Sequence, residues 1–120
     1  MDAPYERQLL VCTYGAWCRL EGSDEVRAQL KRGVKDAGLD KKLRVTKSGC
    51  LGQCGHGPVL ALWPDNVWYA HVKRDDVPEI LAHLRGGAPV ARLRYHAQRP
   101  GGNKTPEVQA KEAAAGTHID

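Results

Sequence analysis

Four cysteines constrain this chain more than anything else in it. They form two pairs, Cys12-x5-Cys18 and Cys50-x3-Cys54, and the second pair lies in SGCLGQCGHGP, eleven residues of which four are glycine. The N-terminal MDAPYERQLLVCTYG has no basic segment followed by an apolar run of signal-peptide length. Nor does any window approach the roughly 18 apolar residues of a membrane span. A soluble, cytoplasmic protein is expected. Thiols there are kept reduced, so four cysteines point to metal ligation or redox chemistry before a disulfide framework.

The chain has 120 residues, 42% of them apolar, which suits one domain with a modest core and a tail. Phe is absent, so the core is expected to rest on Val, Leu, Ile and Ala, with Trp17, Trp63, Trp68, Tyr14 and Tyr69 near it. The formal charge is +4, with Lys and Arg scattered among Asp and Glu. No basic stripe interleaved with aromatics is visible, which weighs against nucleic-acid binding. Arg7, Arg19, Arg44 and Lys47 read as solvated surface charge.

Residues 8–13 (QLLVCT) form a short apolar run that predicts a buried strand ending near Cys12. A helix is predicted over 23–38. Ser23 serves as its N-cap, Asp24 and Glu25 fill its first turn, Val26, Leu30, Val34 and Ala37 make its apolar stripe, and Gly38 stops it. A second strand is expected at 43–46, a third at 59–63 and a fourth at 67–72, the last two joined by a turn at Pro64-Asp65-Asn66. Asp75 or Asp76 caps a second helix carrying Val77, Ile80, Leu81 and Leu84, which Gly86-Gly87 ends. This order predicts an α/β domain over residues 1–94, with two helices on a four-stranded mixed sheet. Residues 95–120 are polar, lack apolar periodicity and read as a disordered tail with a transient helix near 107–115.

If the first two strands are parallel neighbours, the loops carrying the two cysteine pairs leave the same sheet edge and make one four-thiolate site. A 2Fe-2S cluster requires such a set, two sulfurs per iron. Gly49, Gly52, Gly55 and Gly57 would let the backbone reach φ > 0 and aim N–H donors at cluster sulfurs, while Leu51 would exclude water. Structural zinc also takes four Cys, but usually through C-x2-C or x4 knuckles, which x5 and x3 fit poorly. A redox dithiol needs C-x-x-C, absent from both pairs. Four unrelated buried thiols would leave the loop glycines without a role.

His56 is expected to be an exposed loop residue, and His71, His83, His96 and His118, which share no metal spacing, surface residues. Trp17, beside Cys18, reads equally as a cluster shield, a docking residue or core. Helix capping explains Asp75 and Asp76 without acid–base chemistry, and no catalytic triad, phosphate loop or dinucleotide fingerprint occurs. No enzymatic activity is expected.

VCTYGAWCRLEGSDEV, SGCLGQCGHGPVLALWPDNVWYAHV and DDVPEILAHLRGG together resemble the thioredoxin-like 2Fe-2S ferredoxins, relatives of the small 2Fe-2S subunit of respiratory complex I. The resemblance spans residues 8–93. It implies a thioredoxin-like fold with one 2Fe-2S cluster near the surface, Cys12 and Cys18 as the first two ligands and Cys50 and Cys54 as the last two. It also implies one-electron transfer between redox partner proteins, a homodimer, and no substrate chemistry. The short stretch before the first strand favours a free carrier. The alternatives are a non-catalytic zinc- or cluster-stabilised binding or assembly module, and an accessory electron-transfer subunit of a larger oxidoreductase.

Overall fold

A computed structural model describes residues 4–13, 22–49, 51, 53, 56–97, 100–103 and 105–115. Strands β1 (Arg7–Cys12), β2 (Leu43–Ser48), β3 (Leu60–Trp63) and β4 (Val67–Tyr69) form one mixed sheet in the order β2-β1-β3-β4. β1 runs parallel to β2 and antiparallel to β3, and β3 is antiparallel to β4. Helices α1 (Ser23–Asp36) and α2 (Val77–Leu84) bury Val26, Leu30, Val34, Val77, Ile80 and Leu84 in a single core with Leu9, Val11, Val45, Leu60, Leu62 and Tyr69. Side chains alternate faces along a strand. The helices therefore cover the Leu9/Val11 face of β1, and Leu10 and Cys12 point to the other. A third helix, α3 (Pro106–Ala115), follows at the C-terminal end.

Local details explain the boundaries. Gly22, at φ 89°, takes the N-cap of α1, so Ser23 is not the cap expected from sequence but the first helical residue. Its hydroxyl is fully buried and has no partner among the described residues. Gly38 adopts φ 73° and closes α1 with a Schellman pair: its N–H donates to Lys35 O, and the Leu39 N–H donates to Val34 O, both at 3.0 Å. Ala37 is exposed at the helix end rather than part of the stripe. Before α2, a 3₁₀ turn at Arg74–Asp76 uses the Asp76 carboxylate, which accepts the Lys73 N–H at 2.8 Å. Burial alone would raise the Asp76 pKa, but that bond and Arg92 at 2.7 Å outweigh it and hold the pKa below its ordinary value.

Two sequence expectations about burial change. Trp63 is 41% exposed, because β3 places it on the face away from the helices. His83 is 5% exposed rather than at the surface. The Tyr69 hydroxyl accepts the Val90 N–H at 2.9 Å and shares a buried hydrogen bond of 2.7 Å with His83 Nδ1. Burial first, then Arg7 and Arg94, lower the His83 pKa against the opposing pull of Asp65.

This pair predicts a pH dependence. With the folded pKa below the ordinary 6.5, the unfolded chain binds the proton more readily in the window between the two values. The stabilisation is thus complete above the unfolded pKa and lost as pH falls toward the folded one. Melting should drop as pH falls below the ordinary histidine value toward the lower folded one, and His83→Gln, which keeps a hydrogen-bonding amide near Tyr69 but cannot titrate there, should flatten the slope. Equal slopes in both proteins would remove His83 as the cause.

Candidate metal centre

The site is built at the C-terminal ends of β1 and β2. Their parallel register sets Cys12 opposite Ser48, and the Thr13 N–H extends the pairing to Ser48 O at 3.4 Å. Both cysteine-bearing segments therefore leave one sheet edge, as the sequence reading required. Cys12 is 2% exposed and belongs, with Val59, to a second small apolar cluster against which Leu51 and Trp68 pack. This cluster lies on the face away from the helices.

Cys18, Cys50 and Cys54 lie outside the described residues, as do Tyr14, Trp17, Arg19, Gly52, Gly55 and His118. The chain flanking residue 50 is described: Gly49 follows β2, and Leu51 reaches the Cys12 cluster. A buried thiol, an apolar cover from Leu51 and Trp68, and a second segment delivered to the same edge fit a cluster bound by four thiolates. Cys12 would hold it from β1, and Cys18, Cys50 and Cys54 from the two loops.

The proposed glycine role is corrected at one position. Gly49 lies outside the left-handed region, and a Cβ there would meet nothing within 4 Å, so the backbone does not demand glycine. Arg7 is more than the solvated surface charge expected from sequence: it pairs with Asp65 at 3.1 Å and donates to Leu84 O at 3.1 Å, tying β1 to the hairpin and α2.

Several residues near the site were not singled out from sequence. Gln53 lies between Cys50 and Cys54 and is 8% exposed. Its Oε1 accepts from Tyr95 Oη at 2.6 Å, and its Nε2 donates to Gly101 O at 2.9 Å. His56 is half-buried rather than exposed. Its Nε2 lies 2.7 Å from Asn103 O, so that nitrogen carries the proton, and its ring is 5.1 Å from that of Tyr95. Asn103 is itself buried and donates Nδ2 to Gly101 O at 2.9 Å. A lone tyrosine and asparagine in a polar stretch gave no periodic signal by which to find these contacts.

The model of the thioredoxin-like [2Fe-2S] ferredoxin family matches residues 2–85. A 2Fe-2S ferredoxin of Aquifex aeolicus (strain VF5) is 41% identical over 87 residues, covering 71% of this chain and 78% of its own. One of Clostridium pasteurianum is 32% identical over 99 residues, covering 73% and 94%. Among solved structures, the wild-type thioredoxin-like [2Fe-2S] ferredoxin from Aquifex aeolicus superposes with a TM-score of 0.70 at 35% identity, over 78% of this chain and 99% of that one. The same ferredoxin has been crystallised with serine in place of either of two cysteines four positions apart. An NAD+-reducing [NiFe]-hydrogenase chain shares the fold at a TM-score of 0.58 and 11% identity, with 16% of its length covered. With its fold, its cysteine-bearing sheet edge and this match in agreement, the chain belongs to the thioredoxin-like [2Fe-2S] ferredoxin family, a family of iron–sulfur electron carriers.

Proposed function

We propose that the protein is a one-electron carrier with one 2Fe-2S cluster held by Cys12, Cys18, Cys50 and Cys54. The observation that carries this reading is the β1–β2 register, which brings buried Cys12 opposite Ser48 with Leu51 packed over the same spot. Cys50 and Cys54 are four positions apart, the separation of the two cysteines replaced in the Aquifex variants. When bound, the cluster supplies reversible exchange of a single electron. The chain fixes the ligand segments on a rigid sheet edge and excludes water from one side through Leu51 and Trp68. A carrier of this kind works between redox partner proteins and needs no substrate pocket.

Trp63, Trp68 and Leu10 lie on the sheet face that α1 and α2 leave uncovered, and a homodimer would bury part of it. Among the described residues no helix is long and apolar enough to cross a membrane. Cytoplasmic residence remains part of the proposal. The test is a visible spectrum of anaerobically purified protein before and after dithionite, with iron, sulfide and zinc assayed on the same sample. Red-brown absorbance that bleaches, with about two irons and two sulfides per chain, is expected. A colourless, folded protein with stoichiometric zinc would replace the carrier with a structural module.

A further inference from the structure

We propose that the segment after the ferredoxin domain, from Tyr95 to Asn103, is a clasp that holds the second ligand loop, with Gln53 and Tyr95 as positioning residues for the cluster. The inference rests on the reading of Cys50 and Cys54 as ligands. Residues 95–103 lie beyond the 2–85 matched by the family model.

Gln53 is the hub. It sits inside the x3 interval of the second pair, and both ends of its buried amide are engaged by the C-terminal segment, Oε1 by Tyr95 and Nε2 by Gly101. Its backbone carbonyl also accepts the His56 N–H at 3.2 Å, tying Gln53 to His56. His56 in turn donates from Nε2 to Asn103 O, a second tie made on the C-terminal side of the pair. The clasp is anchored at its start: the Tyr95 N–H donates to Trp68 O at 2.8 Å, on the strand whose tryptophan packs over the Cys12 cluster. Gly101 accepts two donors while at φ 89°, a conformation that side chains rarely adopt.

A loop rich in glycine is entropically expensive to order. Burying an amide such as Gln53 is unfavourable unless its partners are supplied, and here the tail supplies Tyr95 and Gly101 while the loop itself offers only Leu51 O, at 3.4 Å from Nε2 among the described residues. Removing those partners should loosen the loop that carries half the proposed ligands. Outer partners of metal ligands affect affinity by about 10–100-fold.

The experiment compares the full-length protein, a chain ending at Arg94, and full-length Tyr95→Phe. Each is purified anaerobically and examined by hydrogen exchange of the 49–57 peptide, by cluster release to an iron chelator, and by visible circular dichroism and midpoint potential. The clasp predicts loop exchange faster by at least about tenfold in the truncated chain. It also predicts cluster release about 10–100-fold faster, with altered visible dichroism and potential. Tyr95→Phe should move each readout the same way by less, with far-UV dichroism unchanged. Wild-type exchange, release and visible spectra in both variants would overturn the proposal. Should the truncated chain unfold, Tyr95→Phe decides alone. A colourless full-length protein would instead overturn the carrier reading, and the exchange comparison would still decide the clasp.

Discussion

Cys12→Ala will yield a protein without the visible cluster absorption and with a melting temperature far below that of the parent. Two roles for Cys12 make very different demands. As a small buried apolar residue, 2% exposed beside Val59, Leu51 and Trp68, it would lose only one sulfur atom's packing, on the order of 1 kcal/mol. As one of four thiolates, its loss leaves the cluster one ligand short of the two sulfurs per iron it needs. Metal binding and folding are linked, and structural metal sites contribute as much as about 10–16 kcal/mol. The same anaerobic purification, iron and sulfide assay and thermal melt separate the two. Two irons per chain and a melt within a few degrees of the parent would make Cys12 a packing residue and move the site elsewhere.

The elements of the mixed sheet and its covering helices were legible because each signal was local and periodic. QLLVCT could only be a short buried strand, and the i, i+4, i+8 spacing of Val26, Leu30 and Val34 oriented α1 over it. Parallel pairing of β1 with β2 then followed from the intervening helix, and with it the meeting of the two loops at one edge. What escaped depended on contacts between residues far apart in the chain. His83 looks like any helical surface histidine until Tyr69, fourteen positions away and on a strand, hydrogen-bonds to it from within the core. Ser23 carries the side chain favoured at an N-cap, yet the backbone places that function on Gly22, whose φ of 89° no pattern in the sequence announces. Tyr95 and Asn103 sit in a stretch whose composition signals disorder, and only their meeting with Gln53 and His56, more than forty residues earlier, gives that stretch structure.

Leu9→Ala should cost about 2–5 kcal/mol, whereas Leu10→Ala, one residue along the same strand, should cost clearly less. Leu9 is wholly buried on the central strand, paired with Val45 on one side and Leu62 on the other, and covered by the helices. Truncation there leaves a cavity inside the single core that the strands share with both helices. Leu10 is half-buried on the opposite face, beside Ala61. A domain of this size is stable by only about 5–15 kcal/mol, so the Leu9 change removes a large fraction. At about 4–8 °C per kcal/mol, melting should fall by on the order of 10–30 °C. Bound cluster stabilises the folded state by mass action, so both variants must be compared with the parent at equal iron content and one scan rate. The comparison also tests which face of the sheet is covered. If Leu10→Ala proves as costly as Leu9→Ala, the face bearing Cys12, Trp63 and Trp68 is buried in the working protein, and a second chain packed on it becomes the explanation to test by sedimentation.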